Sequence, residues 1–238
     1  MYLTRLPLNS ARADARRLLG SPHRMHGAVC MSFPEAPARD GQGPRVLWRT
    51  DVNAAGRTDL FIVSPTRPDL THLVEQAGWP TLEEPGWTTF AYGEFLDGLA
   101  EGDTWGFRLT ANPVHYVRKA DDPKGAETKR TAHVTPRHQL GWLLKKQEQA
   151  GFEVVRKPAE RQHTEYDDEY QIVLHDRTPQ QFGKRSEGGP RRQVSITRVT
   201  YDGLLRITDL PSFRRTLTQG LGKAKAYGCG LMTLAPVR

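Results

Sequence analysis

One order of sequence patterns occurs twice along this chain of 238 residues, and this repetition restricts its fold most strongly. In residues 2–93, segments with strand-like alternation and segments with helix-like apolar spacing follow one another as β-α-β-β-α-β. The same order returns in residues 105–237. Two such units in tandem predict an α+β protein made of two ferredoxin-like βαββαβ domains.

The segment between the two units marks the predicted domain boundary. The run DGLAEGD is polar and contains two glycines, which is typical of a connection. The sequence therefore predicts an N-terminal domain in residues 1–96, a linker in 97–104 and a C-terminal domain in 105–238.

Local signals predict where several elements begin and end. Ser10 and Asp209 precede helical patterns, so we expect them to be N-caps. Pro22 is expected to mark a turn, because proline is common there. Asp202 and Gly203 are expected to form a turn between two strands.

The charge balance favours a polyanionic partner. Lys and Arg number 34 against 27 Asp and Glu, which gives a net charge of +7. Nucleic-acid binding is favoured, because each phosphate that a basic surface contacts releases condensed counterions. An Arg-rich composition without any such partner is the alternative. No membrane partner is expected, since no apolar run approaches the ~18–20 residues of a bilayer span and no strongly amphipathic basic helix carries Trp or Phe on its apolar face.

The cysteines and the N-terminal segment bear on the cellular compartment. Cys30 and Cys229 are far apart and have no metal-ligand or redox spacing, so no disulfide framework is expected. The N-terminal residues lack the apolar core and cleavage site of a secretory signal. Both features are typical of a protein in a reducing cytoplasm. The histidines show no metal-ligand spacing, and we expect neither a metal site nor a cofactor.

A glycine-rich, basic segment lies near the C-terminus, in the run GLGKAKAYGCGLMTLAP at 220–236. Glycines permit positive φ angles and close approach of a ligand, and free backbone N–H groups beside lysines can hold phosphates. The segment matches neither the P-loop nor the dinucleotide-binding fingerprint. A helix-to-strand connection that needs special backbone angles is the alternative. The candidate phosphate-binding residues here are Gly222, Lys223, Lys225, Gly228 and Gly230.

A second basic cluster flanks a predicted hairpin tip, the run EGGP at 187–190. The cluster consists of Lys184, Arg185, Arg191 and Arg192. Positive charge on a protruding hairpin suits the backbone of a nucleic acid. A solvated loop without a binding role is the alternative.

Three blocks of the sequence resemble one known family. They are MYLTRLPLN with SPHRMHGAV near the start, FRLTANPV at 107–114, and DGLLRITDLPSFRRTLTQGLGKAKAYGCGLMTLAP at 202–236. Together with GWLLKKQEQAGF at 141–152, they extend over the whole chain. In these blocks the chain resembles the CasE family of repeat-processing CRISPR endoribonucleases, the RNA-processing subunits of type I-E Cascade.

The resemblance implies a metal-independent endoribonuclease. Such an enzyme binds the stem-loop of a CRISPR repeat and cuts the precursor RNA at the 3′ base of the stem. The 2′-hydroxyl upstream of the cut attacks the adjacent phosphate, which leaves a 2′,3′-cyclic phosphate and a 5′-hydroxyl. The mature guide RNA stays bound, and the other Cascade subunits are the protein partners. Two alternatives are a structural subunit that binds an RNA hairpin without cutting it and a ribosomal or translational RNA-binding protein.

The resemblance also assigns roles to single residues. His26 matches the family's catalytic histidine, and an imidazole can take or give a proton at neutral pH. His23 stands where some relatives carry a tyrosine, and it either shares the acid and base roles with His26 or merely contacts phosphate. The basic hairpin cluster is assigned to the repeat stem, whose A-form backbone is read by shape. Lys223 and Lys225 are assigned to negative charge on the RNA backbone or the transition state.

Overall fold

The structure, a computed structural model, describes residues 1–35, 43–79, 86–117, 129–163, 168–184 and 192–237. In chain order, the first half contains β1 (Tyr2–Leu8), α1 (Ala13–Leu19), α2 (Pro22–Cys30), β2 (Leu47–Val52), β3 (Thr58–Ser64), α3 (Thr71–Ala77), β4 (Thr88–Ala91) and α4 (Tyr92–Asp97). Its four strands form an antiparallel sheet in the order β2-β3-β1-β4.

The second half contains β5 (Thr104–Ala111), β6 (Val114–Val117), β7 (Lys129–Ala132), α5 (Pro136–Ala150), β8 (Phe152–Val154), β9 (Ile172–Lys184), β10 (Arg192–Ile207), α6 (Leu210–Gln219) and β11 (Met232–Pro236). Its main sheet is antiparallel in the order β11-β5-β10-β8, and β9 also pairs with β10. Strands β6 and β7 form a separate hairpin. Within the described ranges, none of the helices has the length and apolar character needed to cross a membrane.

The strand orders confirm the predicted α+β fold with two tandem ferredoxin-like units. In the first sheet the central strands are β1 and β3, and in the second they are β5 and β10. These are the first and third core strands of each β-α-β-β-α-β unit. The proposed domain limits, 1–96 and 105–238, stay a prediction.

The alternation along β1 explains how the first sheet holds its helices. Leu6 and Leu8 are buried on the same face of β1. They belong to one apolar cluster with Leu18 of α1, Val29 of α2 and Leu73 of α3. Burial of each such side chain contributes about 1.5–3 kcal/mol. The position of α2 on the sheet is therefore fixed by apolar packing.

The start of α2 corrects one expectation. Pro22 begins a helix instead of marking a turn, since it occupies the first helical position, where its missing N–H costs nothing. Ser21 is the N-cap, and its side-chain oxygen accepts a hydrogen bond from the backbone N–H of Arg24 at 3.4 Å. The same residue type is frequent in turns and at helix starts, so Pro22 alone did not distinguish them.

Other expected element ends were partly right. Asp209 caps α6 by accepting from the backbone N–H of Ser212 at 3.2 Å, as predicted. Ser10 was wrongly expected to cap α1, which begins later and has Arg12 at its N-cap position without a side-chain cap. The predicted turn at Asp202 and Gly203 is also wrong, because β10 continues through both residues. A Cβ on Gly203 would lie 2.5 Å from a backbone oxygen beside β9, so this glycine permits close strand pairing.

A buried arginine joins the two sheets. Arg49 of β2 is 1% exposed. Its Nη1 donates to the backbone oxygens of Arg108 at 2.8 Å and Leu231 at 2.9 Å, both in the second half. Its Nε and Nη2 each donate to the carboxylate of Asp51 at 2.7 Å, and Nη2 also donates to Thr233 Oγ1 at 2.7 Å. The guanidinium therefore links β2 to two strands of the second sheet, beside the apolar cluster that contains Leu47 of β2 and Met232 of β11.

Two glycines at α5 are expected to respond oppositely to alanine. A Cβ on Gly141, inside the helix, meets nothing within 4 Å, so Gly141→Ala should raise the free energy of unfolding by roughly 0.5–1 kcal/mol. Gly151 ends the helix with φ +78°, and a Cβ there would lie 2.3 Å from the oxygen of Asp209. Gly151→Ala should therefore lower it by about 2–4 kcal/mol. Urea unfolding of both variants measures the two changes in the free energy of unfolding. Changes of the same sign would contradict the close packing of Gly151 against Asp209.

Candidate active site

Helix α2 carries the two histidines that were predicted to be catalytic. His23 is exposed and His26 is half-buried, and their spacing of three residues places them on one side of the helix. Met25 and Val29 are buried and anchor the other side. One turn further on, the Sγ of Cys30 lies 3.8 Å from each ring nitrogen of His26. The buried side of α2 thus holds the helix against the sheet, and the two imidazoles lie on its other side.

The glycine-rich segment connects α6 to β11 and packs tightly against two tryptophans. Gly222 and Gly228 have φ angles of +83° and +76°. A Cβ would lie 2.9 Å from the ring of Trp142 at Gly222, and 2.7 Å from the ring of Trp48 at Gly228. At Gly230, with φ +91°, it would lie 2.8 Å from a backbone oxygen. Packing therefore accounts for these glycines, and their contact with RNA stays a prediction.

A short turn at 225–227 brings separate parts of the chain together. It packs against both α2 and β2. Its Tyr227 makes an edge-to-face contact with Phe182, with the ring centroids 4.7 Å apart. Phe182 lies on β9, two residues before Lys184. The histidine helix, the glycine-rich segment and the base of the basic hairpin therefore meet at this turn.

Lys225 of this turn lies in an unusually positive environment. Its side chain is half-buried, whereas Lys223 is exposed. Burial lowers the pKa of Lys225 to about 8, and the charges of Arg45 and Lys223 act in the same direction. Within the described part of the chain, none of these three cations forms an ion pair. The turn therefore concentrates positive charge beside α2.

The basic hairpin is described only at its base. Strands β9 and β10 pair from Ile172 opposite Gly203 to Lys184 opposite Arg192. The predicted tip at 187–190, with Arg185 and Arg191, lies outside the described residues. The pairing places the predicted basic cluster at the far end of a long two-stranded ribbon, and its role stays a prediction.

The sequence analysis did not name two arginines as candidate site residues, Arg198 and Arg45. Arg198 lies on β10, beside Pro22 and Met25 of α2 and the ring of Trp48. The Nε atoms of Arg198 and Arg45 are buried, and neither has a hydrogen-bond partner among the described residues. Arg198 sits in an alternating strand pattern that resembles any solvated strand, so the sequence carried no signal for its position.

Three histidines form a second cluster away from α2 in the sequence. The rings of His115 and His133 stack with centroids 4.4 Å apart, and those of His133 and His138 are 5.8 Å apart. Burial lowers the pKa of His133, and the neighbouring histidines and Lys145 act in the same direction. Among the residues that the structure describes, no group of three or more histidine, cysteine or acidic side chains is arranged to hold a metal ion.

Comparison with known proteins decides the family. A family model described as "CRISPR associated protein" matches residues 1–236. The chain belongs to this CRISPR-associated family.

Individual relatives show which proteins of this family the chain resembles. The CRISPR-associated endoribonuclease Cse3 of Thermus thermophilus is 29% identical over 237 residues, which cover 99% of this chain and 100% of that protein. The Cascade subunit CasE of Escherichia coli is 27% identical over 243 residues, at 100% coverage of both chains. A solved structure of Thermus thermophilus Cse3 bound to an RNA representing a pre-cleavage complex has a TM-score of 0.71 and 27% identity, and the match covers 99% of this chain and 98% of that one.

These similarities confirm the resemblance of this CRISPR-associated chain to the CasE family. They agree over the full length, as the sequence blocks implied. The structure places His23, His26, Lys223 and Lys225 around one turn and its neighbouring helix. The chemical role of each of these residues stays a prediction.

Proposed function

We propose that this CRISPR-associated chain is an endoribonuclease that cleaves CRISPR precursor RNA at the 3′ base of the repeat stem-loop. It then retains the mature guide RNA as a subunit of Cascade. One observation carries the proposal. The turn at 225–227 joins the helix that holds His26, the lysines of the glycine-rich segment and the base of the basic hairpin. The names of the relatives, an endoribonuclease and a Cascade subunit, support it.

The proposed reaction needs no metal ion. The 2′-hydroxyl upstream of the cut attacks the adjacent phosphorus and loses its proton, and the P–O5′ bond breaks as the 5′-oxygen gains a proton. The products are a 2′,3′-cyclic phosphate and a 5′-hydroxyl. One imidazole suits each proton transfer, since imidazoles titrate near pH ~6.5 and such groups contribute about 10²–10⁴ in rate. His26 is one of the two groups, and His23, on the same side of α2, is the candidate for the other.

Positive charge around α2 suits the transition state. Negative charge builds on the non-bridging oxygens as the 2′-oxygen bonds to phosphorus, and fixed cations stabilise that charge. Lys225 lies on the turn that packs against α2, and Lys223 lies two residues before it. The turn contacts the ribbon of β9 and β10 at Phe182, near the end that carries Lys184 and Arg192. We assign these two residues to the phosphates of the repeat stem.

A cleavage assay in excess EDTA tests this proposal. The substrate is end-labelled cognate repeat RNA, compared with the same RNA carrying one 2′-deoxy sugar just upstream of the cut. We expect the all-ribose RNA to be cut once at the 3′ base of the stem and the deoxy RNA to bind equally well but remain intact. Tight binding without cleavage of either RNA would instead identify a structural RNA-binding subunit.

Two further assignments belong to the same proposal. We place the reaction in the cytoplasm, which suits a chain whose two cysteines, Cys30 and Cys229, have no disulfide-framework or metal-ligand spacing. We also take 1–96 and 105–238 as the two domains, with 97–104 between them. In support, the strands of the first sheet all lie before residue 92 and those of the second all lie after residue 103.

A further inference from the structure

A cluster of three cations lies at the turn beside α2, and the proposed function gives no role to one of them, Arg45. Lys225 and Lys223 lie on the glycine-rich segment, and Arg45 lies just before β2. The backbone N–H of Arg45 donates to the oxygen of Thr218 at 3.2 Å, which fixes the arginine next to the end of α6. The charges of Arg45 and Lys223 both act on Lys225. Three parts of the chain therefore direct positive charge to one place.

The protein itself offers this cluster little compensation. The Nε of Arg45 is buried and lacks a hydrogen-bond partner among the described residues. The charged or titratable residues on the elements packed against the turn lie on α2 (His23, Arg24, His26 and Cys30), β2 (Arg49 and Asp51) and β9 (His175, Asp176, Arg177 and Lys184). The acids in this set are Asp51, whose carboxylate accepts two hydrogen bonds from Arg49, and Asp176, which contacts His175 away from the Phe182 end of β9. Like charges that no acid compensates among the described residues raise the free energy of the fold, so such a cluster is typical of an anion site.

We propose that Arg45, Lys223 and Lys225 form one binding site for a backbone phosphate of the RNA held beside α2, and that this site takes up a proton when the phosphate binds. The inference rests on the proposed function, because RNA supplies the phosphate. It adds Arg45 to the RNA contacts and makes Lys225 a proton-linked contact. Arg45 and Lys225 act here as positioning residues, since they hold a phosphate and transfer no proton to the reacting atoms.

The proton uptake follows from the environment of Lys225. Burial and two neighbouring cations lower the pKa of Lys225 to about 8, so at pH 8 about half of these side chains are neutral. A phosphate in contact stabilises the ammonium and raises that pKa. Binding should therefore take up about half a proton per RNA at pH 8.

Calorimetric titration with the uncleavable 2′-deoxy repeat RNA tests the proposal. The full chain is titrated at pH 8 in two phosphate-free buffers of different ionisation enthalpy, which gives the number of protons taken up. Lys225→Arg keeps the charge but does not titrate, so we expect affinity within about threefold of wild type and no proton uptake. Arg45→Gln should weaken binding about tenfold and reduce the slope of log K against log salt by about 0.7–0.9. Arg45→Lys should restore most of the affinity and most of the salt slope.

A matched control and the contrary results complete the design. Arg206→Gln removes an exposed arginine that pairs with Glu153 at the opposite end of β10, and we expect no change in salt slope or proton uptake. Proton uptake that persists in Lys225→Arg, or Arg45→Gln binding as Arg206→Gln does, would overturn this inference while leaving the cleavage proposal intact. Failure of the wild-type chain to bind repeat RNA would overturn the proposed function itself.

Discussion

Replacing His26 with alanine is expected to slow single-turnover cleavage of repeat RNA by about 10²–10⁴ while changing RNA affinity less than about threefold. The imidazole moves a proton in the transition state, whereas binding depends on the many phosphate contacts of the lysines and arginines. Because His26 is half-buried and α2 is anchored by Met25 and Val29, the variant should keep its fold. Rates are measured with excess protein, and affinity is measured on the 2′-deoxy RNA.

Two further variants make the His26 result specific. His23→Ala should also slow cleavage if the two histidines divide the acid and base roles. The loss of rate in His23→Ala, compared with the loss in His26→Ala, shows which histidine contributes more to cleavage. His163→Ala removes an exposed histidine from the second half of the chain and should leave the rate unchanged. Wild-type cleavage by His26→Ala, or an equal loss of binding and cleavage, would exclude a catalytic role for His26.

Replacing Arg49 with methionine is expected to lower the free energy of unfolding by about 3–5 kcal/mol. The substitution keeps most of the side-chain volume but leaves the buried backbone oxygens of Arg108 and Leu231 without their donor. Among the described residues, it also leaves the carboxylate of Asp51 with only the more distant Arg108 guanidinium, at 3.8 Å. Buried polar groups that lose a partner carry the full cost of desolvation. Urea unfolding monitored by tryptophan fluorescence measures the change.

An ion pair exposed on both sides provides the control for Arg49. Arg17 of α1 pairs with Asp14 at 3.0 Å, and the two side chains are 70% and 48% exposed. Arg17→Met should therefore change the free energy of unfolding by less than about 1 kcal/mol, because solvent screens such pairs. Equal effects of Arg17→Met and Arg49→Met would show that the buried arginine does not stabilise the contact between the two sheets.

The fold could be predicted largely because its signals are local. The alternation in β1 and the cap at Asp209 depend on residues a few positions apart, and both were read correctly. The turn predicted at Gly203 was wrong because the role of this glycine depends on close pairing with Gln171 and Ile172, at the other end of the β9–β10 hairpin and outside any local sequence window. Pro22 was misread because the same residue begins helices and forms turns, and the cap at Ser21 decides between them.

The candidate site was predictable only in part. The sequence blocks identified His26 and the two lysines through resemblance, without indicating what brings them together. Their arrangement depends on the packing of the turn at 225–227 against α2, and of Gly228 against the ring of Trp48. Arg45 was not predicted, because the burial of its Nε without a hydrogen-bond partner among the described residues is a property of tertiary structure. An arginine that follows a loop has no sequence pattern of its own.

The mass of the cleavage products tests the central claim most directly. Cognate repeat RNA is cut by the purified wild-type protein in EDTA, and the upstream and downstream fragments are weighed by mass spectrometry. Attack by the 2′-hydroxyl predicts an upstream fragment that ends in a 2′,3′-cyclic phosphate, lighter by one water than the linear phosphate, and a downstream fragment with a 5′-hydroxyl. An upstream 3′-hydroxyl with a downstream 5′-phosphate would show that water attacked the phosphorus and would contradict this account.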